Sequence, residues 1–250
     1  MPKINVYLPE DLAAAVRRVG IPVSPVCQAA LADVVQRVTD VRKVIETIRN
    51  QTLSPDHMAK VGAAARVTDR VRTVVGLAGR YAAAAGTQVT TGHLLLGLFE
   101  ESGNVAVSLL QALDVDPDGV RSSIESGRPA EAEAGEPRVA DDGRSSEAWR
   151  NLSWPAWNAM AAAMEAAIGF GHNYVGCEHL LVGLLADPDS QAGQSLRAHG
   201  VDEAELRRAL TGAVAGFSHG RKAAGSIADR LGEIVSRLNE IEQRLAAIGA

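Results

Sequence analysis

The 250-residue chain carries 25 Lys and Arg against 30 Asp and Glu, and the resulting formal charge of −5 excludes a protein coated in basic surface. Apolar residues make up 46% of it, enough for a core, while 4% aromatics and abundant alanine favour packed helices over a sheet sandwich. Cys27 and Cys177 form no disulfide framework, no apolar run approaches the roughly 18 to 20 residues of a membrane span, and Met1 to Asn5 lacks a signal-peptide layout, so the cytoplasm is expected.

Lys3 to Leu8 alternates Lys3, Asn5 and Tyr7 with Ile4, Val6 and Leu8, which predicts a short strand. Pro9-Glu10-Asp11 opens a helix with stripe Leu12, Val16 and Val19, closed by Gly20. Ser24 and Pro25 read as the cap and first residue of a second helix. Such a unit cannot bury a core alone, so it needs a partner chain. Its order of elements resembles the ribbon-helix-helix family of DNA-binding proteins. The resemblance implies a homodimer whose paired strands present Lys3, Asn5 and Tyr7 to base edges, with the amides after Ser24 gripping a phosphate. Residues 1–50 hold seven Lys and Arg against five Asp and Glu, so a plain dimerisation ribbon stands beside the DNA reading.

Leu31, Val34, Val38, Val41, Ile45 and Ile48 extend the second helix, either as a coiled coil or as an amphipathic helix laid on the next domain. Ser54-Pro55-Asp56 signals another helix start. From Thr68-Asp69 four helices follow: one ending near Gly86, one opening at His93, then Val105 to Leu113 and Val120 to Ile124. Residues 128–147, rich in Glu, Asp, Gly and Pro, read as a disordered acidic linker. The four-helix plan then returns as Trp157 to Ile168, Leu180 to Leu185, Ala192 to His199 and Ala204 to Val214. His179 follows His93 by 179 − 93 = 86 positions, and the same offset pairs Val115 with Val201 and Asp116 with Asp202. After a loose stretch at His219 to Lys222, Ile227, Leu231, Ile234, Leu238, Ile241, Leu245 and Ile248 form a heptad seam expected to pair two chains.

The second helix start, Gly171 to Leu185 (GHNYVGCEHLLVGLL), and its weaker copy at Thr90 to Leu98 resemble the N-terminal domain of Clp unfoldases of the ClpC type. The likeness covers about residues 66 to 127 and 150 to 215, and no G-x-x-x-x-G-K-[ST] loop for ATP accompanies it. The whole is therefore similar to the stand-alone, ATPase-less Clp N-domain proteins of mycobacteria and other actinobacteria. That resemblance implies an all-α module that docks Clp substrates, adaptors and cyclic peptide antibiotics. It also implies a phosphoarginine-type site at Cys177 and Glu178, with Cys177 standing where the family has threonine and Gly92 where the first copy should have glutamate. A peptide groove is implied at Asp69, Arg72, Leu152, Trp154, Trp157 and Asn158, although the two tryptophans read equally well as packing between the copies.

His172, Cys177, Glu178 and His179 match no standard zinc spacing, and no serine elbow or carboxylate pair appears. No metal, cofactor or catalytic residue is expected. The expected organisation is a ribbon-helix-helix-like segment at 1–50, Clp repeats at 54–127 and 148–216 around the linker, and a coiled coil at 225–250. The expected function is a dimeric, non-enzymatic, autoregulatory repressor that binds peptide-like ligands, or else an adaptor or decoy of the Clp protease without DNA binding.

Overall fold

Thr68, Thr90, Asn104, Asp116, Ser153, Ser190 and Asp202 each stand one residue ahead of a helix, and each side-chain oxygen accepts a backbone N–H two or three positions on. These caps satisfy amides that a helix start leaves without an internal partner. The computed structural model describes residues 5, 7–52, 66–101, 103–127 and 145–212, with no strand among them beyond two isolated bridges. The architecture is all-α. Helix α1 is Glu10–Val19 and α2 is Val23–Arg49. The first repeat comprises α3 (Asp69–Ala85), α4 (Thr91–Glu100), α5 (Val105–Ala112) and α6 (Pro117–Ser126). A short α7 (Ser145–Arg150) leads into the second repeat: α8 (Trp154–Gly169), α9 (Cys177–Ala186), α10 (Gln191–Ala198) and α11 (203–212).

The N-terminal unit differs from expectation in two places. Helix α2 opens at Val23 with Pro22 as its N-cap residue, so Ser24 lies inside the first turn and caps nothing. Pro25 is tolerated there because a first-turn N–H has no intrahelical partner to lose. Asn5, Tyr7 and Leu8 belong to no strand, where a strand over Lys3 to Leu8 was expected, because no second strand pairs with them among the described residues. Lys3, residues 128–144 of the expected linker, the Ser54 helix start, the expected loose stretch at His219 to Lys222 and the expected heptad seam lie outside the described residues.

Beyond its midpoint α2 buries Val41, Ile45 and Ile48, and it packs on α8 of the second repeat rather than on the first repeat that follows it. An Arg49–Glu165 ion pair at 2.7 Å ties its end to the same helix. The lower half is thus the amphipathic helix laid on a domain.

The two repeats hold each other by exchange. Thr68 donates to the Val175 carbonyl at 3.0 Å and Val175 to the Arg66 carbonyl at 3.2 Å, bridging the lead-in of α3 to that of α9. Val89 donates to Asn151 at 2.8 Å and Ser153 to Val89 at 2.9 Å, bridging the lead-in of α4 to that of α8. The flanking helices follow the same rule: α2, ahead of repeat one, covers α8, while α7, ahead of repeat two, covers α3. In α7, Ala148 and Trp149 are buried, and Ala148 packs so near Gly79 that a Cβ there would lie 2.9 Å from its methyl carbon. The segment expected to be linker up to residue 147 therefore ends in a helix. Six residues carry too little periodicity to announce one.

Within each repeat the second helix presses on the first at a glycine. A Cβ on Gly97 would meet the Val74 carbonyl oxygen, and one on Gly183, 183 − 97 = 86 positions later, the Ala159 oxygen. The alanine-rich α8, with Ala159, Ala161, Ala163, Ala166 and Ala167 all buried, presents the flat surface this approach requires.

Candidate functional site at the start of helix α9

Gly86 and Gly171 end α3 and α8 in the left-handed region, φ +66° and +70°, and lie 171 − 86 = 85 positions apart. Val89 and Val175 open the next elements and lie 175 − 89 = 86 apart. The second repeat thus carries one extra residue in its loop, and that loop brings His172 over the start of α9.

His179 occupies the third position of α9, where its Nδ1 accepts the Gly176 N–H at 3.0 Å. A nitrogen that accepts an amide proton carries none, so the neutral ring bears its hydrogen on Nε2 and donates it to His172 Nδ1 at 2.7 Å. Burial, and then the neighbouring His172, push the His179 pKa down to about 3, so the ring is neutral at pH 7. His172 in turn stacks on Tyr174 with ring centroids 5.3 Å apart, and α2 roofs this loop through Arg37, Val38 and Val41. His93 repeats the inner half of the arrangement in the first copy: its Nδ1 accepts from Thr90 N at 3.2 Å, while its other bond goes to the Gln88 backbone.

Glu178 is buried beneath the helix start, its carboxylate filling the space a side chain at Gly176 would need and lying 3.3 Å from His179 Nδ1. Cys177 beside it is buried too. Desolvation foremost, then the Glu101 and Glu178 carboxylates, push its thiol up to about 12 against the opposing pull of Arg70. Such a group is a thiol at neutral pH and no nucleophile. Arg70 meets Glu101 at 2.9 Å, so Arg70, Glu101, Cys177 and Glu178 share one charged corner.

The donor atoms of His172, Glu178 and His179 lie within 4.8 Å of one another, and these residues could hold a metal ion by proximity. Both His179 nitrogens are already engaged, which leaves that ring no free lone pair for a metal.

The equivalent corner of the first repeat is closed. Gly92 stands in the glutamate position, and the Gln191 side chain from α10 lies where a Cβ at 92 would go, its amide reaching toward the Ile124 carbonyl at 3.4 Å. Thr91, the counterpart of Cys177, accepts the Ala192 N–H at 3.2 Å and so ties the repeats together. A threonine at this place is therefore no helix cap: Thr90 and Gly176, one residue earlier, are the N-cap residues, and Cys177 costs α9 no capping bond.

The model of the Clp repeat (R) N-terminal domain matches residues 66–142 and 151–246. This chain belongs to that family. It is 29% identical over 164 residues to the Bacillus subtilis negative regulator of genetic competence ClpC/MecB, a match covering 64% of this chain and 18% of that protein. It is 32% identical over 146 residues to an uncharacterized protein of Mycobacterium tuberculosis, covering 58% of this chain and 52% of that one. The chain therefore corresponds to only part of the length of these relatives. Among solved structures it is similar to the N-terminal domain of the chaperone ClpD from Arabidopsis thaliana, at 23% identity and a TM-score of 0.45, covering 60% of this chain and 94% of that one.

The remaining expected site residues divide between the two ends of the Clp repeat pair. Asp69 and Arg72, 3.7 Å apart in an ion pair, stand at the start of α3, which the Thr68–Val175 bond places beside α9. Leu152 is bridged to Val89, just beyond the other end of α3, so with Trp154, Trp157 and Asn158 it belongs to the opposite corner. A 17-residue helix separates the two groups by roughly 25 Å at its ends. Leu152 and Trp157 are buried, Trp157 with its ring 5.9 Å from Trp149, while Trp154 is half-buried and Asn158 exposed. For Trp157 the packing reading describes the structure. Near the N-terminus, Asn5, Tyr7 and Ser24 are exposed. Sequence reasoning missed Arg70, Glu101 and Gln191; only the pairing of the repeats reveals them.

Proposed function

We propose that the chain is a non-enzymatic docking protein whose Clp repeats bind peptide-like ligands: Clp substrates, peptides bearing phosphorylated arginine and cyclic peptide antibiotics. The observation that carries this reading is the charged corner at α9, where Arg70 and Glu101 act on Cys177 beside Glu178, and the Asp69–Arg72 pair stands at the adjoining start of α3. A carboxylate there suits a guanidinium, and the helix N-terminus and arginines suit the attached phosphoryl group. Glu178 is buried in its resting seat, so engagement requires its side chain to swing outward. One site per chain follows, because Gln191 fills the corresponding place in repeat one. The protonated Cys177, which is no nucleophile, supports docking without turnover.

Calorimetry with a phosphoarginine peptide and with a cyclic peptide antibiotic tests this reading. Heat from the first, reduced at least tenfold in affinity by Glu178→Gln, is the expected result; no heat from either, with unchanged tryptophan fluorescence, removes it. Exposed Asn5 and Tyr7, together with Lys3, extend the proposal to a repressor that binds its own upstream DNA as a dimer. A low-salt gel shift, abolished by alanine at Lys3, Asn5 and Tyr7, is the expected result for that extension. The second reading, an adaptor or decoy of the Clp protease without DNA binding, is favoured by the match to the ClpC/MecB protein. It predicts ligand heat without a shifted band.

A further inference from the structure

Ten of the eleven large apolar side chains exposed among the described residues fall between Tyr7 and Val35. The concentration has a structural cause. Helix α1 has only ten residues and buries none of them, although Leu12, Val16 and Val19 align at helical spacing. An isolated helix of that length is marginal in water and depends on packing its apolar face. In α2 the stripe that is buried from Val41 onward continues upward through Val34 and Leu31, where 40% and 51% of each residue is exposed. Ile21, Val23 and Val26, likewise exposed, lie in the chain between the two stripes. Contiguous apolar surface of this kind is characteristic of interfaces.

We propose that this surface docks a second copy of the same chain, with α1 packed antiparallel against its symmetry mate. Charge selects the occupant. At 100° per residue, Asp11 and Arg18 both lie about 100° to 120° to the same side of the Leu12–Val16–Val19 stripe. A two-fold axis that brings the stripes together keeps each residue on its side and reverses its height. Asp11 of one copy is thereby set beside Arg18 of the other, twice. A parallel arrangement would oppose like charges instead. Glu10 and Asp11 balance Arg17 and Arg18, so α1 is neutral overall and self-complementary, as an isologous interface requires. An anionic membrane or nucleic acid would favour a basic border around such a surface. The lower half of α2 is seated on α8, so each copy carries its Clp repeats rigidly attached to the interface.

The proposal rests on the two-copy reading of the N-terminus but not on DNA binding. It is tested in the full-length chain carrying Leu238→Pro, which removes the heptad seam expected from the sequence as a competing source of association. Light scattering across 1 to about 100 μM is expected to show a dimer. Asp11→Arg or Arg18→Asp alone is expected to weaken the dimer at least tenfold, and the two together to restore it. Val19→Glu with Val34→Glu is expected to give a monomer whose circular dichroism and tryptophan emission match the parent. A monomeric Leu238→Pro parent overturns the proposal, and so does failure of the double charge swap to restore association. A dimer that shifts no DNA band leaves it standing and removes only the repressor.

Discussion

The starts of α4 and α9 occupy equivalent places in the two repeats, yet one is sealed and the other is charged. Both use a histidine at the third helical position to hold the N-cap amide. In the first, Thr91 and Gln191 turn the corner into a joint between repeats; in the second, Glu178 and Cys177 occupy that place, with Arg70 and Glu101 alongside. The two copies thus share the scaffold of the helix start and differ in its flanking residues, one forming a joint between repeats and the other a buried carboxylate and thiol beside a charged margin.

The largest expected effects concern what the repeats share. Gly183→Ala drives a methyl into the Ala159 carbonyl and Gly97→Ala one into that of Val74; each should destabilise by about 3 kcal/mol in urea unfolding, the upper range for overpacking. Equal losses would mark equal scaffolds, whereas a tolerated Gly97→Ala would break the equivalence.

Next come the histidines. His179→Ala removes a cap and the anchor of the His172 loop and should cost about 3 kcal/mol, against about 2 kcal/mol for His93→Ala, which has no loop histidine to release. A depressed folded-state pKa gives stability that is fully present above the unfolded value near 6.5 and declines as pH falls from there toward about 3. His93 shifts in the same direction, so urea midpoints should fall on acidification in the parent, and His179→Asn should remove the larger share of that slope.

The smallest effects concern the divergent residues. Glu178→Gln exchanges the buried carboxylate for an amide of nearly the same shape and should cost no more than about 1 kcal/mol in urea unfolding, while reducing phosphoarginine affinity at least tenfold. Gln191→Ala combined with Gly92→Glu should open the first corner and give a second, weaker binding event by calorimetry. A single unchanged site would show that Arg70 and Glu101, absent from that corner, matter more than the carboxylate.

The boundary between what was legible in the chain and what was not runs through particular residues. Caps such as Thr68 and Asp116 act within three positions, and the 86-residue offset repeats whole helices, so short windows and one subtraction revealed two copies of a helical unit, which the resemblance of their helix-start motifs identified as Clp repeats. The Leu180 to Leu185 core was open to the same kind of reading. Short-range hydrogen bonding and helical periodicity are properties of neighbouring residues, and sequence displays neighbours. Tertiary structure alone decided that α2 crosses to repeat two, that α7 exists, that Trp157 is sealed against Trp149, and that Gln191 plugs the place of a lost glutamate across 191 − 92 = 99 positions. Those outcomes depend on which apolar faces find each other when the two copies exchange their flanking segments, and no local pattern encodes that choice.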